Sequence, residues 1–275
     1  MSDWVLVALH AELDTGIAMN LMLGDCLERM KEIPDGSVDL TVTSPPYDNL
    51  RNYNNSLDWG EHVWKPVLQE LFRVTKKGGV VVWVVGDATI KGSETGTSFR
   101  QALYAKEIGF NLHDTMIYSK NNVGMYDPRN KRYKQAFEYM FIFSKGRIKT
   151  YNPIQDKPVK SKIISRPHGR KTDGTFRKRK SDIIAKPFQD RFNVWTYFTG
   201  AIISKDREAF EHPAIFPEKL AEDHILSWSN EGDTILDPMA GSGTTLKMAK
   251  KNNRNYIGIE TSQEYIDIIN KRLGK

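Results

Sequence analysis

The sequence predicts an open α/β sheet, mostly parallel, with helices on both faces. Three observations carry that expectation. Stretches that alternate like strands and stretches with helical spacing follow one another through both halves of the chain. Residues 80–85, Val-Val-Val-Trp-Val-Val, form a continuous apolar run, as a central parallel strand covered on both faces requires. Asp25, Ser44, Asp87, Asp237 and Glu260 all fall at the carboxyl ends of predicted strands, the edge at which such sheets bind ligands.

Residues 19–23 read as a short strand running into Gly24-Asp25-Cys26, and Leu27, Met30 and Ile33 then recur at helical spacing until Pro34 and the turn Asp35-Gly36. Residues 38–43 alternate like a strand and deliver Thr43-Ser44-Pro45-Pro46-Tyr47 at its carboxyl end. After a polar loop over 48–60, Trp64, Val67, Leu68, Leu71 and Phe72 mark an amphipathic helix, closed by Lys76-Lys77-Gly78-Gly79. The apolar run 80–85 leads to Gly86-Asp87, and 99–109 reads as a helix. Residues 112–118 and 139–143 read as two more strands, an antiparallel pair at the sheet edge. Periodicity fades from Gly146 to about Glu211, where Lys, Arg, Pro and Gly rise. Beyond it come a helix (220–228), a strand (234–236), a helix (244–251), a strand (256–260) and a closing helix (262–273). No internal repeat is visible.

At 275 residues the chain can bury a full core, as one domain with a large insertion or as two small ones. Hydrophobic content of 39% and a mean hydropathy of −0.52 indicate a soluble protein. No apolar run is long enough to span a bilayer, and the N-terminus lacks a signal-peptide pattern. A cytoplasmic protein with no membrane partner is expected. Cys26 is the single cysteine, so an intrachain disulfide and a cysteine metal cluster are excluded. The net charge of +6 is unevenly placed: between Asp156 and Arg191 twelve Lys or Arg stand against four Asp, a local excess of eight that leaves −2 for the rest. Positive charge concentrated beside a nearly neutral body suits a phosphate-binding surface; a solvated basic loop is the plainer alternative.

Two motifs carry the chemistry. Asp237-Pro238-Met239-Ala240-Gly241-Ser242-Gly243-Thr244 lies between a predicted strand and helix, where Gly241 and Gly243 can take positive φ and let backbone approach a ligand. Its spacing matches neither Gly-x-Gly-x-x-Gly nor a phosphate loop ending in Gly-Lys-Ser/Thr. Glu260, after Tyr256-Ile257-Gly258-Ile259, is placed to accept hydrogen bonds from two ribose hydroxyls. The other motif, Ser44-Pro45-Pro46-Tyr47, would by itself be an ordinary proline turn. After a strand and paired with the glycine loop, it reads as a grip for an exocyclic amine. Proline at 45 and 46 removes backbone donors, leaving the Ser44 hydroxyl and the Pro45 carbonyl as acceptors. Tyr47 offers a flat face for a stacked base, worth about 1–3 kcal/mol.

With the amine motif first and the glycine loop last, the chain resembles the amino-group DNA methyltransferases that use S-adenosylmethionine, in the order of their beta class. The resemblance runs from Leu23 to Ile259. It implies a Rossmann-like methyltransferase fold with an antiparallel edge strand and a basic target-recognition insertion. The expected division is residues 1–146 as the catalytic half, 147–210 as the insertion and 211–275 as the cofactor-binding half. Asp25 and Cys26, within Leu23-Gly24-Asp25-Cys26, would contact the cofactor adenine. His212, Pro213 and Phe216, within the run 212–220, would line its methionine part. His212 has no companion at ligand spacing, so no metal is expected. Asp237, Met239, Ala240, Gly241, Ser242, Gly243, Thr244 and Glu260 complete the expected cofactor site. Ser44, Pro45, Pro46 and Tyr47 form the catalytic motif, with Asp87 a further candidate to take the amine proton or touch the base edge, or else a plain strand-end aspartate.

In this family Ser-Pro-Pro-Tyr leans toward the N4 amine of cytosine and Asp-Pro-Pro-Tyr toward the N6 amine of adenine. The substrate implied is double-stranded DNA with the target base flipped out, and a homodimer is compatible with the class. Arg166, Arg170, Arg177, Lys178, Arg179 and Lys180 would contact phosphates or guanine, while Phe176, Phe188, Phe192 and Trp195 would give the insertion a small core. A basic arm that orders only on DNA is the alternative. Enzymes acting on RNA or on protein amides, and a non-catalytic DNA-binding descendant, are rival readings. The motif order argues against the first two and the intact motifs against the last.

Overall fold

The computed structural model describes residues 20–46, 59–121, 129, 131–159, 163–164, 171–175, 183–184, 186–198 and 217–274. In chain order the elements are β1 (Asn20–Leu23), α1 (Cys26–Met30), β2 (Val38–Thr43), α2 (Glu61–Val74), β3 (Thr75–Val85), the hairpin β4 (Thr89–Ile90) and β5 (Ser93–Glu94), α3 (Thr97–Glu107), β6 (Asn111–Lys120) and β7 (Phe137–Ser144). There follow β8 (Gln155–Pro158), β9 (Ile163–Ile164), β10 (Ile183–Ile184), β11 (Phe188–Asp190), β12 (Val194–Tyr197), α4 (Glu218–Trp228), β13 (Thr234–Asp237), α5 (Thr244–Lys251), β14 (Asn255–Glu260) and α6 (Gln263–Arg272). The chain divides into two compact units, Asn152–Phe192 and the remainder.

The larger unit holds an eight-stranded sheet in the order β1-β14-β13-β2-β3-β7-β6-β12. Every neighbouring pair is parallel except those made by β7, which runs against both β3 and β6. The antiparallel pair expected at the edge therefore stands one strand inward. β12 covers β6 in parallel from Val194 opposite Ile117 to Tyr197 opposite Lys120. Its Trp195 is buried with the ring 4.6 Å from that of His224. Residues 194–197 thus belong to the main sheet, whereas fading periodicity placed them in the insertion; four residues are too few to show a period, and it is pairing with β6 that buries Trp195 and Tyr197.

Periodicity explains the layers. In α2, Trp64, Val67, Leu68 and Leu71 recur on one face and are fully buried, each contributing about 1.5–3 kcal/mol. That face joins Val81, Trp83 and Val85 of β3 in one apolar cluster with residues of α1 and α3. Val80, Val82 and Val84 alternate onto the opposite face, where α4 packs on β2 and α5, and α5 and α6 pack on β14. The Trp83 indole is satisfied inside the core by Gln101 Oε1 at 2.8 Å. The helix before β3 ends at Val74, because Thr75 turns to extended backbone (ψ 131°). Lys76 to Gly79 are therefore the start of the strand instead of a basic helix end, and Lys76 Nζ reaches Asp39 Oδ2 at 2.6 Å.

The smaller unit pairs β8 with β11 and β9 with β10, both antiparallel. Beyond them Lys171 N donates to Thr175 O at 2.7 Å around Asp173-Gly174, so all three pairings step toward one turn. No described side chain of 152–192 is buried, and Phe188 and Phe192 are exposed. The small apolar core expected here does not form among the described residues: Phe176 lies outside them and Trp195 packs in the main sheet.

Candidate active site

The sheet topology creates a crevice at one place. β2 and β13 are parallel neighbours, yet the chain leaves β2 through α2 toward β3 and leaves β13 through α5 toward β14, in opposite directions along the sheet. Such a switch point parts the loops above the two strands. Ser44 follows β2 and Pro238 follows β13, so residues nearly two hundred positions apart share one crevice.

A buried hydrogen bond ties the two loops. Thr43 Oγ1 donates to Asp237 Oδ1 at 2.8 Å, and Met239 N donates to the same oxygen at 3.2 Å. Thr245 Oγ1 donates to Val42 O at 3.1 Å, and the Thr245 side chain also bonds Asp237. Burial pushes the Asp237 carboxyl up to about 6, against the opposing effect of Thr43, Met239 and Thr245. A carboxylate that keeps three partners in a dry place fixes geometry. It sets the end of β2, and with it Ser44, against the start of the glycine loop.

The loop is held from both sides. Gly241 has φ 51° and its N–H donates to Glu260 Oε2 at 2.8 Å, while Ser262 N donates to Oε1 at 3.0 Å. Glu260 is thus a rigid, half-buried carboxylate at the end of β14, level with Leu23 of β1, a large apolar side chain left 40% exposed. Ala240 N donates to Ile259 O at 2.9 Å and Gly243 N to Ala240 O at 2.7 Å. Gly243 has φ 78°, and a Cβ there would lie 2.7 Å from Ile269 Cγ1. Close approach of α6 is what demands glycine at 243. Gly258 answers to α5 in the same way, since a Cβ would lie 2.3 Å from Leu246 Cδ1.

Behind the loop lies Arg272, its side chain only 1% exposed. Its guanidinium donates to Ser242 O, to Ser242 Oγ and Thr244 Oγ1 (3.2 Å each), and to Glu218 Oε1 at 2.9 Å. Lys247 Nζ also reaches Glu218 Oε1, at 2.8 Å.

The other expected site residues fall as follows. Asp25 Oδ1 accepts from Leu27 N (2.9 Å) and Glu28 N (3.3 Å), capping α1. Cys26 is buried and its thiol is pushed up to about 12 by burial and the neighbouring Asp25 charge, so it stays protonated. Pro45 is buried, Ser44 and Pro46 half-buried. Asp87 accepts from Ser98 N (2.8 Å), Ser98 Oγ (2.5 Å) and Thr95 Oγ1 (3.3 Å); it anchors the start of α3. Tyr47, His212, Pro213, Phe216, Arg166, Arg170, Arg177, Lys178, Arg179 and Lys180 lie outside the described residues. Among the described residues no helix is long and apolar enough to cross a membrane, and no group of three or more His, Cys, Asp or Glu is placed to hold a metal ion.

Sequence reasoning missed Thr43, Thr245, Glu218 and Arg272. Gly258 carried a readable signal, since a glycine inside a strand often marks close approach. Arg272 carried none: at a helix end it reads as a charge facing the helix dipole.

Comparison with known proteins agrees with this architecture. The chain is 60% identical over 250 residues to the orphan methyltransferase M.BamHII of Bacillus amyloliquefaciens, covering 89% of this chain and 92% of that one. Among solved structures it is similar to the PvuII DNA methyltransferase described as cytosine-N4-specific (TM-score 0.68, 21% identity, 92% and 85% coverage). It is also similar to a putative DNA modification methylase of Thermus thermophilus solved with S-adenosylmethionine (TM-score 0.61, 24% identity, 93% of each chain). The family model described as DNA methylase matches residues 38–271, and the chain belongs to that family.

Proposed function

We propose that this chain is a site-specific DNA methyltransferase that transfers a methyl group from S-adenosylmethionine to the N4 amine of cytosine. The observation that carries the reading is the Thr43–Asp237 bond at the switch point, which sets Ser44-Pro45 against the glycine loop.

The residues present fit the cofactor. Glu260 offers a fixed carboxylate for two ribose hydroxyls, the exposed Leu23 on one side of it offers an apolar face for adenine, and the glycine loop after β13 meets it from the other side through Gly241 N. Asp25 and Cys26 lie at the adenine end. Met239, Ala240, Ser242, Gly243 and Thr244 form the loop, and His212, Pro213 and Phe216 are proposed for the methionine end. Bound there, the cofactor supplies a methyl group already activated on sulfur.

The task left to the protein is alignment. A base amine is a weak nucleophile because its lone pair is delocalised into the ring. The Ser44 hydroxyl and Pro45 carbonyl accept its two hydrogens and draw nitrogen toward tetrahedral geometry, while Pro46 stiffens the turn. Tyr47 would stack on the flipped base. Once methylated, the amine is a strong acid, so its proton leaves without a strong base. Asp87, whose oxygens hold Thr95 and Ser98, is accordingly a support for the cleft wall. The neutral Ser44 at the head of the motif favours cytosine.

The two-stranded basic unit of 152–192 is read as the DNA contact. An antiparallel ribbon fits the major groove, and Arg166, Arg170, Arg177, Lys178, Arg179 and Lys180 would meet phosphates and base edges.

Mass spectrometry of nucleosides from unmethylated duplex DNA, incubated with the protein and S-adenosylmethionine, tests the reading. N4-methylcytosine is the expected product. N6-methyladenine would keep the site and overturn the base assignment, and no methylated base would overturn the reading.

A further inference from the structure

Arg272 joins parts of the chain that the methyl-transfer chemistry does not itself require to be joined. The loop 238–243 contains two glycines with positive φ, so ordering it costs conformational entropy that something must offset. Glu260 restrains it at Gly241 from one side. The last turn of α6 restrains it from the other: Ile269 fills the space over Gly243, and Arg272, one turn on, bonds Ser242 and Thr244. The same guanidinium holds Glu218, the first residue of α4, immediately after Pro217. The planar fork of a guanidinium, with five donors in fixed directions, serves two separate pieces of chain at once, residues 242–244 and Glu218. A buried cation is tolerated here because Glu218 compensates it.

We infer that Arg272 is a positioning residue for cofactor binding, locking the glycine loop to the start of α4 so that the loop meets S-adenosylmethionine preformed. The inference rests on the assignment of the cofactor to this loop. Arg272 bonds the loop through Ser242 and Thr244 and is not among the residues proposed to hold the cofactor. A preformed loop leaves less ordering to be done on binding, so the effect falls on affinity. Catalysis at saturating cofactor is left alone.

Calorimetric titration of the full-length protein with S-adenosylmethionine, with melting curves for each variant, tests this. Arg272→Lys keeps the charge but loses the fork. Its dissociation constant is expected to rise about tenfold, the loss of one to two charge-assisted hydrogen bonds. The KM for cofactor should rise in step, with kcat and the KM for DNA within about twofold of wild type. Glu218→Gln, at a partly exposed position, should raise the dissociation constant about threefold, and the double variant should bind no more weakly than Arg272→Lys alone. A folded Arg272→Lys variant with unchanged cofactor affinity overturns the inference. Should that variant not fold, Glu218→Gln decides, and unchanged affinity there overturns it equally. Glu260→Ala separates this failure from that of the site: normal binding in Glu260→Ala would show that the cofactor lies elsewhere, whereas lost binding there beside normal binding in Arg272→Lys removes only the role of Arg272.

Discussion

Asp237 illustrates how one residue can carry both structure and a measurable signature. Its carboxyl is raised to about 6 by burial, against an ordinary value of 3.8. The folded protein therefore retains a proton there that the unfolded chain has released. Stability falls as pH rises from about 4 to about 6, and the deficit is complete above that window. Asp237→Asn should flatten this part of the stability profile in denaturant titrations, by up to about 3 kcal/mol. Thr43→Val removes a donor that opposes the shift, so it should steepen the same segment. Identical profiles in wild type and Asp237→Asn would show that the buried carboxylate is not the source.

At the scale of elements, the glycine loop is a strand-turn-helix joint whose glycines answer to their neighbours. Gly243→Ala introduces a Cβ 2.7 Å from Ile269 at φ 78°. It should destabilise by about 1–3 kcal/mol and weaken cofactor binding, read by melting temperature and calorimetry together. Full stability in Gly243→Ala would show that α6 does not hold the loop. This joint was legible in the sequence because Gly241 and Gly243 interrupt apolar periodicities of two different lengths. The run 80–85 was legible because it is apolar on both faces. β12 was not: its four residues follow the basic stretch where periodicity has faded, and its partner β6 is more than seventy residues earlier. Lys76 to Gly79 misled because basic residues followed by glycine also describe a helix end; the extended Thr75 decides otherwise. Asp87 read equally as a cleft acid or as a plain strand-end aspartate, because the sequence does not reveal that its oxygens accept from Thr95 and Ser98.

For the whole molecule, the division of charge follows the division into units. Among the described residues of 152–192 no side chain is buried, two strands alone are marginal in water, and the segment's excess of cations suits a polyanion. Replacing Arg166, Arg170, Arg177, Lys178, Arg179 and Lys180 with Gln should lower the dependence of log affinity for DNA on log salt by up to about 5, near 0.9 for each phosphate no longer neutralised. Cofactor affinity should not change. An unaltered salt slope would remove the ribbon from the DNA interface.

All of this converges on one proposal, that the Ser44 motif and the glycine loop form a single methyl-transfer site across the β2–β13 switch point. The single-turnover rate of Ser44→Ala, at saturating S-adenosylmethionine and DNA, decides it. The rate should fall by about 10² to 10³ with cofactor affinity unchanged, the usual loss when one aligned hydrogen-bonding group at a reacting centre is removed. A rate within a few-fold of wild type would mean that Ser44 does not hold the reacting amine and that the crevice is not where the methyl group moves.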